Sequence, residues 1–414
     1  MNYNIIFLSL IQILKFVVPI ITFPYLTRTL GVEQFGYLAF STAVMSYSMI
    51  ICQYGFDFSA TSKIAKIRES KSKMDLYCSG VYYSKFILFF VSLSFASLFL
   101  FFYNDSVLIK LSLCMLPMIL GTLLLPTWLY QGVELMKQLV FITLISRVIV
   151  IPFVFIYVES GSDIYLAGFL QGLPFLISGC IALLYVKANK LFGFKRCSIK
   201  YVFLVTKSGW NVFLTSVASS VYLTLIPIVI GVFHGPISVG YFNVADTIKK
   251  VCISFFRPIY QTVFPRVSSL VNKNEDEARI IINKYFKICV ILAISGGAFV
   301  VLLLEEIITI VSGKDFLEAS NTVVIMMAIV IISVFNNFLG VQSLIPTKND
   351  KTLKRVVVVS SILCLIFMTP VVYYFDYVGS AFLILFTELI VMFGLCMAHF
   401  YCNVNLIFNR KKSV

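Results

Sequence analysis

Charge is scarce in this chain, and what there is leans one way. Only 13% of its 414 residues are charged, 33 Lys and Arg against 19 Asp and Glu, while 60% are hydrophobic. A soluble globular domain carries about 25% charged residues, so that class is excluded. Histidine is nearly missing, with His234 and His399 alone, and the ten cysteines form no CxxC pair. No zinc or haem ligand set can be assembled from these, so neither a metal nor a cofactor is expected. The cysteines read as small apolar fillers. A Gly-rich phosphate loop is lacking, and the longest polar connections (57–80, 187–207 and 263–284) fall short of even a small domain of ~50 residues. That excludes an ATP-driven pump.

What is present is hydrophobic sequence in long runs. About twelve apolar stretches are long enough to cross a bilayer, at roughly 20 residues each. The basic residues sort among the connections between them. Lys63, Lys66, Arg68, Lys71, Lys73 and Lys85 follow span 2, Lys137 follows span 4, and Lys187, Lys190, Lys195, Arg196, Lys200 and Lys207 follow span 6. Further groups follow spans 8 and 10 and close the tail, whereas the odd connections hold Arg28, Lys110 and Lys314. By the positive-inside rule both termini are expected in the cytoplasm. The net charge of +14 belongs to these loops and to the anionic lipid they touch, and no nucleic-acid partner is expected.

A repeat divides the chain. Gly31-Val32-Glu33-Gln34-Phe35-Gly36-Tyr37 and Gly235-Pro236-Ile237-Ser238-Val239-Gly240-Tyr241 share the pattern GxxxxGY, and each opens the second span of a six-span half. Six is even, so both halves enter the membrane from the same side, as parallel repeats do. The expected fold is an all-α polytopic membrane protein of about twelve transmembrane helices. They form two six-helix lobes, residues 1–200 and 201–414, related by a pseudo-two-fold along the membrane normal. Short amphipathic surface helices are expected near 274–279 and 61–75.

Several ionisable residues fall inside these stretches: Lys15 in span 1, Arg147 in span 5, Asp246, Lys249, Lys250 and Arg257 in span 8 (238–262), and Glu388 in span 12. Each costs about 2.5–3.5 kcal/mol near the bilayer centre, so most must face protein or water. At 100° per residue Asp246, Lys250 and Arg257 share one face, with Lys249 a quarter-turn away. Gln12, Lys15, Pro19 and Thr22 form a polar stripe on span 1, and Asn211, Thr215, Ser219 and Tyr222 form another on span 7. The pattern predicts a central cavity lined by spans 1, 7 and 8, with excess positive charge. The bland alternative pairs Asp246 with Lys250 at i,i+4 and lets Arg147 and Arg257 reach the surface. A cavity richer in bases than acids attracts anions. Moving two negative charges out of a negative cytoplasm releases about 4.6 kcal/mol per 100 mV, so a diphosphate headgroup needs no ATP to leave.

The stretch Phe23-Pro24-Tyr25-Leu26-Thr27-Arg28-Thr29-Leu30-Gly31, Pro126-Thr127-Trp128-Leu129-Tyr130-Gln131-Gly132-Val133-Glu134-Leu135-Met136, Ser208-Gly209-Trp210 and Phe264-Pro265-Arg266 resemble Wzx-type O-antigen flippases. Such flippases belong to the superfamily of multidrug extruders and the lipid II flippase. The resemblance implies a transporter, not an enzyme, in the bacterial inner membrane. It would pass undecaprenyl-diphosphate-linked oligosaccharide repeat units from the cytoplasmic to the periplasmic leaflet by alternating access. A polysaccharide polymerase and a chain-length regulator would act downstream. On this reading Lys15, Lys250 and Arg257, with Lys249, Arg147 and Arg28, line the diphosphate site. Asp246 and Glu388 balance charge or carry a coupling proton, and Glu134 serves as a gate. Two other readings remain at this point. A multidrug antiporter for cationic drugs would want a cavity richer in acids. An O-antigen polymerase would want a large periplasmic loop.

Overall fold

The computed structural model describes the backbone of residues 2–271, 273–402, 404 and 406–407, and the side chains of these except 2–20, 211, 212 and 214–223. Every regular element among the described residues is helical. The chain divides into two compact units, Met1–Ile228 and Val229–Val414.

Unit 1 runs α1 (Asn2–Gln53), α2 (Phe56–Ile67), α3 (Lys71–Tyr103), α4 (Ser106–Cys114), α5 (Leu116–Leu124), α6 (Thr127–Gly132), α7 (Met136–Tyr157) and α8 (Ile164–Ala188). The long helix α9 (Ile199–Ser254) carries the division. Unit 2 continues with α10 (Arg257–Leu270), α11 (Glu275–Leu302), α12 (Leu304–Val311), α13 (Ser320–Asn336), a π-helical stretch Asn337–Leu344, and α14 (Asp350–Tyr401). Nine segments among the described residues are long and apolar enough to cross a membrane.

The repeat read from the sequence has a backbone counterpart. α1 breaks at Gly31 (φ 73°, ψ 175°) and α9 at Gly235 (φ 80°, ψ −176°). Both lie in a region of backbone space essentially reserved for glycine. The connections expected between spans 1 and 2, and between 7 and 8, thus shrink to a one-residue break in each case. α14 breaks in the same manner at Asp376 (φ 52°, ψ −145°). A Cβ on Gly31 or Gly235 would meet no atom within 4 Å, so any penalty for alanine there is backbone strain alone. Gly235→Ala is expected to lose about 1–3 kcal/mol, seen as earlier heat-induced aggregation of the detergent-purified protein.

Three local expectations need correction. The helix of span 8 stops at Ser254, and Arg257 instead opens α10 with Pro258 behind it. Pro258 has no N–H to continue the ladder but fits the first turn of a new helix. Residues 274–279 are not a separate surface helix: Asn274 caps α11, its side chain accepting from the Glu277 N–H, and three acids occupy the first turn where the helix dipole favours them. Residues 61–75 are likewise no single helix, being divided between the end of α2 and the start of α3; α2 and α10 each follow a helix broken at glycine. Finally, Lys85 does not belong to a solvated loop. It is buried within α3, and its Nζ donates to the carbonyls of Thr122 (2.6 Å) and Leu125 (3.3 Å), capping the end of α5.

Candidate functional site

In unit 2 three of the charges expected inside the membrane, Asp246, Lys249 and Lys250, lie on α9 past Gly235. Asp246 is buried (8% exposed) and so is Lys249 (4%). Lys249 Nζ lies 2.5 Å from one Asp246 carboxylate oxygen, and Lys250 Nζ lies 2.5 Å from the other. These i,i+3 and i,i+4 spacings place both lysines beside the acid on one helix side. The two lysines differ in surroundings, for the Lys250 side chain is 70% exposed against 6% for Lys249. One buried carboxylate thus serves two lysines, and Lys250 is the one whose ammonium reaches outward. Glu388 of α14 stands nearby, close enough to feel the charge of Lys249. Its carboxylate accepts from Asn336 Nδ2 at 2.6 Å, and its own carbonyl accepts from the same amide at 3.0 Å. With the amide nitrogen so committed, Asn336 Oδ1 is buried without a partner, as is Gln342 Oε1 in the π-helical stretch. Arg257 is exposed at the head of α10, past the break, so the face shared by Asp246 and Lys250 does not extend to it.

In unit 1, Arg147 sits near the middle of α7, about 16 Å from either helix end at 1.5 Å per residue, with its side chain half-buried. Arg28 is exposed on α1, one turn before the Gly31 break. Lys15, together with Gln12, Pro19, Asn211, Thr215, Ser219 and Tyr222, lies on described helical backbone, but its side chain and theirs fall outside the described ones.

The motif around Glu134 is a clamp. Trp128, Leu129 and Tyr130 are fully buried on α6. Thr127 donates to Asp57 of α2, Thr61 of α2 donates to the Trp128 carbonyl and the Gln131 amide oxygen, and Tyr130 donates to the Ala182 carbonyl. Glu134 closes the turn at positive φ (63°) and pairs with Arg68 at 2.7 Å, with the acid side chain 76% exposed. An ion pair that open contributes little stability. The motif around Arg28 also ties elements together. Tyr25 donates to the carbonyl of Val158 at 2.7 Å, and the rings of Phe23 and Phe35 meet edge to face at 5.4 Å.

The sequence profile of the polysaccharide biosynthesis protein family matches residues 2–271. The chain belongs to that family. It is 34% identical over 394 residues to an Escherichia coli protein named "Putative O-antigen transporter", covering 94% of each. The fold resembles that of the lipid II flippase MurJ in an inward closed conformation, with a TM-score of 0.75 at 17% identity over 95% of this chain and 87% of that one. It also resembles an inward-facing multidrug resistance MATE transporter of the MOP superfamily, with a TM-score of 0.64 at 11% identity over 94% and 98%. The family member described here is thus a multi-pass, all-α membrane protein with the transporter fold of that superfamily.

Two features of this family member escape a residue-by-residue search for membrane charges: Lys85, which looks like part of a basic loop, and Asn336, whose partner Glu388 is 52 residues away. Asn and Gln inside an apolar run are the available signal, since a buried amide must find partners.

Proposed function

We propose that the protein is a flippase for undecaprenyl-diphosphate-linked O-antigen or related polysaccharide repeat units, carrying them from the cytoplasmic to the periplasmic leaflet by alternating access. It sits in the bacterial inner membrane with both termini in the cytoplasm. Residues 1–200 and 201–414 act as its two six-helix lobes, and a polysaccharide polymerase and a chain-length regulator take up its product. The relative named for O-antigen transport supports the cargo. The observation that carries the mechanism is the Asp246–Lys249–Lys250 group, two lysines on one carboxylate, of which Lys250 is an exposed side chain within a membrane segment. A cation held there attracts a diphosphate, and low surrounding dielectric strengthens the attraction. Lys250 is the principal phosphate contact; Lys249 is its support, and Arg147, Arg28, Lys15 and Arg257 extend the positive path. Asp246 balances charge. Glu388, held by Asn336, either balances Lys249 or takes a coupling proton, and Glu134 with Arg68 gates the cytoplasmic end.

The multidrug-antiporter reading shares the fold, so charge must separate the two. A cationic drug would be repelled by Lys250. The test is complementation of a deletion strain with wild type, Lys250→Ala, Lys15→Ala and Arg257→Ala, reading surface polysaccharide on gels and lipid-linked repeat units by leaflet. Wild type should restore long chains, and Lys250→Ala should leave single repeat units on the cytoplasmic side. Full rescue by Lys250→Ala would sink the site. Accumulation on the periplasmic side in the deletion strain would point to a polymerase.

A further inference from the structure

The two breaks in unit 2 are joined by a cluster that the transport reading does not use. His234 immediately precedes the Gly235 break, and its Nε2 lies 2.8 Å from the carbonyl of Val372 on α14. A carbonyl can only accept, so Nε2 carries the hydrogen and the neutral ring leaves a lone pair on Nδ1. That Nδ1 lies 4.0 Å from Oδ2 of Asp376, the residue at which α14 breaks. Ser238, just beyond Gly235, donates to the same Oδ2 at 2.8 Å, and Asp376 Oδ1 accepts from the Tyr377 N–H at 2.6 Å. The serine faces the acid and not the imidazole, which leaves no activated nucleophile of the hydrolase kind. What the cluster does is fasten one broken helix to the other.

Unit 1 solves the corresponding place differently. The offset of the repeat puts Leu30 where unit 2 has His234, and Leu30 is buried (4% exposed). On the turn whose Gly161 lies against the Leu30 carbonyl, Asp163 accepts from its own turn: the Glu159 and Ser160 N–H groups and the Ser160 hydroxyl. The His234–Asp376 juxtaposition is thus a feature of unit 2, with a leucine at the matching place in unit 1.

We propose that His234 and Asp376 form a proton-sensitive latch between the broken helices of unit 2, loose when the imidazole is neutral and tight when it is charged. Protonation places a second N–H on Nδ1, 4.0 Å from a carboxylate already held by Ser238 and the Tyr377 backbone. Closing that gap by about 1 Å turns an ion pair at arm's length into a charge-assisted hydrogen bond. The side chains are 27% and 29% exposed, open enough for a proton to arrive and sheltered enough for the pair to matter. Other ionisable groups surround them. Tyr377 of α14 and Tyr241 of α9 have rings 5.5 Å apart, and Asp315 and Glu318 of the 3-10 turn Lys314–Ala319 act on those tyrosines. Of these residue types, histidine is the one whose ordinary titration falls between about pH 5 and 8. Stability supplied by the charged ring is present where the ring is protonated and absent where it is neutral. The latch is independent of the cargo. With both termini cytoplasmic, these breaks face the periplasm, whose pH follows the surroundings.

The test is heat-induced unfolding of the full-length protein in lipid nanodiscs at about pH 5.5 and about pH 7.5. The variants are His234→Gln, which keeps a donor for Val372 but cannot charge, Asp376→Asn, and the double variant. Wild type should gain at least about 2 °C over His234→Gln on going to the acid pH. That gain should disappear when the two are compared in the Asp376→Asn background. Equal pH dependence of wild type and His234→Gln would overturn the latch, and so would a gain that survives in Asp376→Asn. A variant that does not fold at either pH counts against it as well, because the neutral state is meant to be loose and not unfolded.

Discussion

Asp246→Ala is expected to cost about 3–5 kcal/mol, the usual penalty for removing one member of a buried ion pair. The size follows from what is left behind. Lys249 is 4% exposed and loses the oxygen 2.5 Å from its ammonium, so its charge must stay buried without the carboxylate that touches it or be given up. Lys250, at 70% exposure, can turn to water. Adding Lys249→Met to Asp246→Ala should therefore restore most of the loss, because the methionine fills similar volume without charge. Lys250→Ala should change stability little, since the Asp246–Lys249 pair survives it. The measurement is the melting temperature and monodisperse yield of each variant in detergent. It also makes the transport assay interpretable: loss of transport by a Lys250→Ala protein of normal stability reports on cargo and not on folding. If Asp246→Ala melts with wild type, the neutralised pair behind Lys250 is not there.

How far the sequence alone reaches depends on the physical reach of each signal. Charges in apolar runs stand out because lipid does not tolerate them, and the pairing of Asp246 with Lys250 follows from helix spacing. The repeated glycines Gly31 and Gly235 are legible as a pattern, and the structure gives its cause, a backbone with φ near +75° that favours glycine in both copies. Continuity of a helix is harder to read. Extending 100° per residue past Ser254 put Arg257 on the face of Asp246, and Pro258 was the sign that the ladder ends first. In the reverse sense, Asn274 followed by three acids reads as a helix start, and the helix it starts is the whole of α11. Contacts between distant residues left no trace at all. Glu134 meets Arg68, Asn336 meets Glu388 and Ser238 meets Asp376 across 66, 52 and 138 positions, and no periodicity encodes them.

Gly121→Ala should damage the protein nearly as much as the loss of Asp246, although no charge or hydrogen bond is touched. A Cβ built on Gly121 of α5 would stand 2.1 Å from the carbonyl carbon of Phe175, 2.3 Å from its oxygen and 2.4 Å from the Leu176 nitrogen, all backbone of α8. A side chain could rotate away; a helix backbone cannot. Across the same contact Gly179 of α8 would place its Cβ 2.9 Å from the Gly121 carbonyl, so each helix is shaved where the other passes. Within lipid, apolar burial gives helices little reason to associate, and such backbone approach is a main source of their attraction. Separating α5 from α8 to admit one methyl group loosens many van der Waals contacts at once, and the expected cost is about 3 kcal/mol, the upper end for overpacking. Gly296→Ala on α11 is the control, for its Cβ would meet nothing within 4 Å. There the change should be neutral or stabilising by up to about 1 kcal/mol through reduced backbone entropy. Thermal unfolding of the two alanine variants beside wild type decides the matter: the same substitution must move the melting temperature down at one site and leave or raise it at the other. Equal behaviour would mean that α5 and α8 do not approach so closely. On the proposed alternating-access cycle a unit has to move as one piece, and a backbone-to-backbone contact of this kind would hold α5 and α8 together as it does.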